Sequence, residues 1–192
     1  MHVLLIGAPG SGKGTQGPPL AEHFGVPCIS SGDLLRDHMV RGTPEGLQAA
    51  DFVDHGDLVP GALVQEMLRE PIRKACTQGG YILDGFPRTL PQAVHVMLDP
   101  LTSAFVVQAA VHLMVPTEEL VRRVLARNRG ADDSPSVIGH RLAVFEEHTT
   151  PMLEFFSRRG ELITVNGGQP VEEVTASILV QLTRVQRRIG RG

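Results

Sequence analysis

Cysteine is scarce in this sequence, and long apolar runs are absent from it. The 192 residues include two cysteines, Cys28 and Cys76, which do not form a Cys-x-x-Cys pair. We therefore expect no zinc site built from cysteines, and free thiols suit a reducing compartment. No segment approaches the roughly 20 apolar residues of a membrane span, and the N-terminus has no signal-peptide pattern. These absences predict a soluble, cytoplasmic protein that does not bind membranes.

An excess of charge of either sign is also lacking. The formal net charge is -3 at pH 7, so the sequence predicts no general attraction to nucleic acid. An anionic ligand would have to be bound by locally placed Arg, Lys and backbone N–H groups. The composition, 42% hydrophobic and 20% charged, is typical of a soluble globular domain with a buried core.

Short apolar runs alternate with segments of helical periodicity along the chain. The strand runs are continuously apolar, which indicates strands covered on both faces. Strands alternating with helices predict an α/β domain with a parallel sheet and ligands at the carboxyl ends of its strands. The predicted strands are residues 2–6, 26–30, 80–84, 104–115 and 161–166. The predicted helices are residues 13–24, 32–41, 44–55, 61–76, 90–98, 117–128, 136–159 and 170–189.

One glycine-rich segment carries the strongest functional signal. Residues 7–15, GAPGSGKGT, fit the pattern G-x-x-x-x-G-K-[GST] between a predicted strand and a predicted helix. Such glycines let backbone N–H groups converge on phosphate oxygens, and Lys13 can reach the β- and γ-phosphates. The alternative is a glycine-rich turn with a surface lysine. The predicted ATP-binding residues of this loop are Gly10, Ser11, Gly12, Lys13, Gly14 and Thr15.

The helix that follows this loop begins with an unfavourable sequence. Gly17, Pro18 and Pro19 fall within its first two turns. Proline inside a helix removes backbone hydrogen bonds and costs roughly 3 kcal/mol. We therefore predict a kinked or late-forming helix, which would loosen the phosphate loop.

Six motifs in order give the chain a family resemblance. They are GAPGSGKGTQ (7–16), SGDLLR (31–36), GDLVP (56–60), DGFPRTLPQ (84–92), ARNRGADD (126–133) and GHRL (139–142). On these motifs the chain resembles the adenylate kinases, within the nucleoside monophosphate kinases. The resemblance implies a P-loop NTPase-type five-stranded parallel sheet flanked by helices, in one domain spanning residues 1–192. It also implies a monophosphate-binding (NMP) lobe at residues 30–59, a short lid at residues 128–135 and a monomer.

On the acceptor side, the resemblance implies an AMP site. Arg36 would grip the α-phosphate, because a guanidinium matches phosphate oxygens bidentately. Residues 57–59 would contact the adenine edge through their backbone, and Gln92 would add its amide. The implied AMP-binding residues are Ser31, Arg36, Val53, Asp57, Leu58, Val59, Gly85, Phe86, Arg88, Gln92, Arg129 and Arg141.

On the donor side, the resemblance implies that Arg123, Arg127 and Gln169 contact ATP. Asp84 would hold Mg²⁺ through water, and Thr15 is a further candidate for the metal. The alternative for Asp84 is a turn or cap residue, and the alternative for the helical arginines is a solvated surface. The implied catalytic residues, which stabilise the migrating phosphoryl group, are Lys13, Arg88, Arg123, Arg127, Arg129 and Arg141.

The lid departs from the family pattern at one position. The pattern has an arginine two residues before the Asp132-Asp133 pair, where this chain has Gly130, and Arg129 stands one residue earlier. Either Arg129 takes over, or one phosphate-binding charge is missing. We expect the latter to lower the rate by about 10²–10³-fold.

The implied reaction is reversible transfer from Mg-ATP to AMP, giving two ADP. One alternative is a kinase for UMP, CMP or another monophosphate. Gln92 favours AMP, because the UMP/CMP kinases generally have Asn at this place. The other alternative is a weakly active nucleotide-binding paralogue that acts as a sensor, which Pro18, Pro19 and Gly130 would favour.

Overall fold

The computed structural model describes residues 1–98, 106–127 and 134–190. Its centre is a parallel sheet of five strands in the order β2-β3-β1-β4-β5. The predicted α/β fold with a five-stranded parallel sheet is therefore confirmed. The strands are β1 (His2–Ile6), β2 (Cys28–Ser30), β3 (Tyr81–Asp84), β4 (Ala109–Met114) and β5 (Leu162–Asn166).

Helices cover both faces of this sheet. Along β1, Leu4 and Ile6 pack into one buried cluster, whereas Val3 and Leu5 pack into another. Alternate residues of a strand point to opposite faces, so the run Val3 to Ile6 is apolar throughout because both faces are buried. The carboxyl ends of the strands consequently meet along one edge, where the loops after them can form a site.

The described helices follow the predicted order closely. None of them is long and apolar enough to cross a membrane. They are α1 (Lys13–Phe24), α2 (Ser31–Val40), α3 (Pro44–His55), α4 (Gly61–Thr77), α5 (Leu90–Leu98), α6 (Thr117–Arg127), α7 (Pro135–Val144), α8 (Thr150–Arg158) and α9 (Val171–Ile189).

The prediction that α1 forms late is wrong. The helix begins at Lys13 and continues through both prolines. The N–H groups of Thr15 and Gln16 donate to the Gly12 carbonyl at 2.9 and 3.0 Å, so the first turn closes before the prolines. The prolines cannot bond the carbonyls four residues earlier, but Gly14 and Thr15 are exposed, so water can satisfy those carbonyls. The kink stays a prediction.

The strand predicted at residues 26–30 begins at Cys28, and two further predicted boundaries need larger corrections. The long helix predicted at residues 136–159 is two helices, α7 and α8, joined by a π-helical turn at Phe145–Thr149. The strand predicted at residues 104–115 begins only at Ala109, which pairs with Val3 near the start of β1. Residues 106–108 lie outside the strand, and residues 104 and 105 lie outside the described part of the chain.

Candidate active site at the carboxyl ends of the strands

The glycine-rich loop between β1 and α1 has the shape that its sequence predicts. Gly10 and Gly12 have φ values of 85° and 96°, in the left-handed region that favours glycine. A Cβ at Gly10 would also lie 2.7 Å from the Leu120 carbonyl oxygen. Lys13 folds back over the loop, and its Nζ donates to the carbonyls of Gly7 at 2.6 Å and Ala8 at 3.2 Å.

A cleft of about 720 Å³ opens beside this loop, a size suited to a nucleotide. Asp84 from the end of β3 also lines it, as do Arg88 and Arg141. The structure thus brings together every predicted ATP-binding residue: Gly10, Ser11, Gly12, Lys13, Gly14, Thr15, Arg123, Arg127 and Gln169.

A second pocket adjoins the cleft at the ends of β2 and β3. Arg36, Gly85, Arg88 and Arg141 line both spaces. Of the predicted AMP-binding residues, only Arg129 falls outside the described part of the chain. The others all line this pocket: Ser31, Arg36, Val53, Asp57, Leu58, Val59, Gly85, Phe86, Arg88, Gln92 and Arg141.

One buried hydroxyl in this pocket is available to a ligand. Ser31 is 1% exposed, and its Oγ has no hydrogen-bond partner within the described residues. A Cβ at Gly85, whose φ is 87°, would lie 2.5 Å from that oxygen, so the glycine leaves the space that the hydroxyl needs. A buried polar atom without a partner costs folding free energy. A phosphate oxygen that accepts a hydrogen bond from this hydroxyl would remove that cost.

Positive charge is concentrated where the cleft and the pocket meet. Burial lowers the pKa of Lys13; Asp84 opposes this, and Arg88, Arg141 and Arg127 lower the pKa further. Burial also lowers the pKa of Arg88, and Arg141 and Arg36 add to that effect. Several cations held this close repel each other, so an anion bound among them is strongly favoured.

The backbone of Arg88 is fixed by a residue predicted for another role. The Arg88 N–H donates to Gln92 Oε1 at 2.8 Å, and the Arg88 side chain donates from Nε to the Gly85 carbonyl at 2.8 Å. Gln92 is therefore a support for Arg88 as well as a pocket residue. The run Thr89-Leu-Pro-Gln92 before and into α5 resembles a capping box, in which a glutamine side chain bonds back to the preceding backbone, and it is the signal that would have found this contact.

Sequence reasoning missed Glu119, a carboxylate that lines the cleft beside the glycine-rich loop, here named the donor cleft after the predicted ATP-binding residues in it. Its Oε1 accepts from Arg123 Nε at 2.6 Å, and Arg122 binds the same carboxylate with two bonds of 2.7 Å. Hydrogen bonds from these arginines lower the Glu119 pKa to about 2. Arg123 also donates to the Gly167 carbonyl at 2.9 Å, which links α6 to the turn before α9. The spacings i,i+3 and i,i+4 on α6 were the available signal.

A second contact that sequence reasoning missed joins the predicted NMP lobe to α7. Asp57 Oδ1 lies 2.6 Å from His140 Nε2. A Cβ at Gly56 would lie 2.9 Å from the Arg141 side chain, so the two segments approach closely. The sequence predicts a role for the Asp57 backbone alone, and the structure adds a contact of its carboxylate with α7.

The predicted lid can be located only in part. Arg129, Gly130, Asp132 and Asp133 lie outside the described residues. Of the predicted range 128–135, Ser134 is the N-cap of α7 and Pro135 is its first residue. Proline is favoured at the first helical position, because an N–H at that position has no partner within the helix.

The donor cleft also fits a magnesium ion bound together with a triphosphate. Mg²⁺ prefers oxygen ligands, keeps several waters and usually takes one or two protein carboxylates plus substrate phosphates. Asp84 supplies such a carboxylate at the ligand end of β3, close enough to Lys13 to oppose the lowering of its pKa. The Thr15 hydroxyl lies in the same cleft.

Comparison with known proteins agrees with this geometry. A model of the adenylate kinase family matches residues 5–161. The chain belongs to the adenylate kinase family. It is 38% identical to an adenylate kinase of Trichodesmium erythraeum over 193 residues, which cover 96% of this chain and 99% of the relative. It is 42% identical to an adenylate kinase of Mycobacteroides abscessus over 92% of this chain and 96% of the relative. It is also 42% identical to an adenylate kinase of Xylella fastidiosa, over 95% of this chain and 99% of the relative.

Replacing Glu119 by Gln will weaken ATP binding selectively. Arg123 then loses its charged partner, and we expect the KM for ATP to rise about two- to fivefold. The KM for AMP should stay unchanged. Steady-state kinetics with each substrate varied in turn checks this. Glu70→Gln, which breaks a similar pair with Arg73 on α4, is the control. Equal changes in both KM values would contradict the assigned role.

Cys28 will react slowly with thiol reagents although the residue is partly exposed. Burial of its thiol, with smaller contributions from Asp84 and Asp33, raises its pKa to about 11. At pH 8 roughly one thiol in a thousand is then ionised, and alkylation should accelerate about tenfold per pH unit up to pH 10. Mass spectrometry after timed iodoacetamide treatment measures this rate. Asp84→Asn should speed the reaction, because Asp84 contributes to the raised pKa of Cys28. Labelling of Cys28 at pH 7 as fast as that of free cysteine would refute the raised pKa.

Proposed function

We propose that the chain moves a phosphoryl group reversibly from Mg-ATP to AMP, giving two ADP, where its donor cleft meets its acceptor pocket. Family membership supports the reaction. The observation that carries the site assignment is that Arg88 and Arg141 line both spaces, next to Lys13. Phosphoryl transfer needs little covalent help, because in-line placement and surrounding positive charge supply most of the catalysis.

In the donor cleft, the loop N–H groups from Gly10 to Thr15 bind the ATP phosphates. Lys13 would exchange its bonds to the Gly7 and Ala8 carbonyls for the β- and γ-phosphate oxygens. Arg123 and Arg127 face the same phosphates from α6, and Gln169 lies where the adenine would bind. Asp84 would hold Mg²⁺ through water, and the ion would supply positive charge that offsets the charge of the triphosphate.

In the acceptor pocket, Arg36 binds the AMP phosphate. Arg36 Nη2 lies 2.5 Å from Asp33 Oδ1. The Arg36 side chain is 37% exposed, so a phosphate can reach it and replace Asp33 as its partner. The Ser31 hydroxyl donates to the same phosphate. Val53 and the backbone of residues 57–59 enclose the adenine, and the amide NH₂ of Gln92 is left for it, since Gln92 Oε1 accepts from Arg88.

At the junction, Lys13, Arg88 and Arg141 surround the migrating group. Their mutual repulsion without ligand becomes attraction to the charge that spreads over the equatorial oxygens in the transition state. Arg129 completes this set within the proposed lid. We assign residues 30–59 to an NMP lobe and residues 128–135 to the lid. Their closure would exclude water that otherwise hydrolyses ATP. We further propose a cytoplasmic monomer.

Product chromatography after incubation with Mg-ATP and separate monophosphates tests the proposal. We expect two ADP for each ATP consumed with AMP, little product with UMP or CMP, and loss of turnover when a chelator removes Mg²⁺. UDP or CDP as the main product would favour the pyrimidine kinase instead. Tight ATP binding without turnover, restored by Gly130→Arg, would favour the sensor.

A further inference from the structure

One buried threonine outside the predicted site holds the backbone of the central arginine. Thr149 is 6% exposed, and its hydroxyl donates to the Arg88 carbonyl at 2.8 Å. The Arg88 N–H already donates to Gln92 at 2.8 Å. Both backbone polar groups of Arg88 are therefore bound by side chains, one from α5 and one from the turn between α7 and α8.

The π-helical turn at Phe145–Thr149 explains how this threonine reaches Arg88. In a regular α-helix each residue turns the side-chain direction by about 100° around the axis. Over the eight steps from Arg141 to Thr149 this gives about 800°, or two full turns plus roughly 80°, so the two side chains would point in different directions. A π-turn accommodates one extra residue, which reduces the difference to about 20°. Arg141 and Thr149 consequently share a face, and both line a small cavity with Lys13 and Arg88.

Arg88 needs such support because its surroundings repel it. Burial lowers the pKa of this partly buried guanidinium, Arg141 and Arg36 lower it further, and Asp84 opposes them. One side-chain bond, from Nε to the Gly85 carbonyl, holds it in the described structure. Rotation of the peptide after Arg88 would shift the base of this side chain, and misplacement by about 1 Å can cost 10²-fold in rate.

We propose that Thr149 is a positioning residue for phosphoryl transfer, which fixes the Arg88 backbone so that the guanidinium meets both substrates. The π-turn orients the Thr149 hydroxyl toward the Arg88 carbonyl. This inference rests on the proposed function and extends it to a residue that lines neither the donor cleft nor the acceptor pocket.

The test compares Thr149→Val, which keeps the shape and removes the donor, with Thr149→Ser, which keeps the donor. We expect kcat with AMP to fall about tenfold in the valine variant, as for loss of one hydrogen bond, and to return within about threefold in the serine variant. The Kd for ATP, measured by titration calorimetry, should not change. Thr150→Val is the matched control, since Thr150 is the next residue, at the start of α8, and its exposed hydroxyl donates to Glu146 Oε2 at 3.2 Å.

A double-mutant cycle with Arg88→Lys shows whether Thr149 acts through Arg88. In the lysine background, Thr149→Val should lower kcat less than twofold, because the group that it positions is gone. Full additivity, or an unchanged kcat in Thr149→Val, would overturn the inference. So would unfolding of both Thr149→Val and Thr149→Ala at the assay temperature while Thr149→Ser folds, because the hydroxyl would then serve stability. A wild-type chain without turnover would instead count against the proposed function.

Discussion

Replacing Lys13 by Met will lower kcat for ADP formation by at least about 10³-fold, the loss expected when a main electrostatic contact to the transition state is removed. Lys13 is the cation of the phosphate loop, and it lies in both the donor cleft and the small cavity beside Arg88. Methionine keeps most of its length and removes the charge. This loss corresponds to about 4 kcal/mol of transition-state stabilisation.

The loop itself should survive this substitution. Its shape depends on Gly10 and Gly12 and on the first turn of α1, so circular dichroism should be unchanged. Lys74→Met, on the exposed part of α4, is the matched control and should retain full activity. Turnover within tenfold of wild type in the Lys13 variant would show that the triphosphate binds elsewhere.

Replacing Arg88 by Lys will lower kcat by about 10²–10³-fold, although the charge is kept. A lysine has no planar fork, so it cannot bind the Gly85 carbonyl through Nε and also present two donors to a phosphate. Arg88 lies where the two nucleotide spaces meet, so its contacts should strengthen mainly in the transition state. The KM values for ATP and AMP should therefore change less than kcat does.

Steady-state kinetics and thermal denaturation separate this effect from misfolding. Arg73→Lys, in an exposed pair with Glu70 on α4, is the matched control and should leave kcat unchanged. A large rise in the KM for AMP at normal kcat would instead assign Arg88 to acceptor binding alone.

The shape of the glycine-rich loop and the positions of Asp84 and Arg88 were predictable because they depend on local backbone geometry. Gly10 and Gly12 adopt conformations that favour glycine, so the motif determines the shape of the loop. The run DGFPR follows an apolar strand, which places Asp84 and Arg88 at the ligand edge of a parallel sheet. These signals depend on a few neighbouring residues.

The contacts that hold the site together could not be predicted in the same way. Thr149 meets Arg88 across 61 residues of sequence, and Asp57 meets His140 across 83. The segment FEEHT has helical periodicity with its neighbours, so nothing in it indicates a π-turn. Pro18 and Pro19 do not delay α1, because the Gly12 carbonyl accepts the bonds that close the first turn ahead of them, a contact that helix propensity does not include.

The proposed phosphoryl transfer requires the two nucleotides to meet end to end between Lys13 and Arg88. A crystal structure of the chain with a two-substrate mimic, in which two adenosines are joined by a chain of phosphates, tests this directly. We predict one adenosine in the cleft beside Gln169, the other in the pocket beside Val53, and the phosphates between Lys13, Arg88 and Arg141. Phosphates outside the loop, or an empty acceptor pocket with Arg88 turned to solvent, would contradict it.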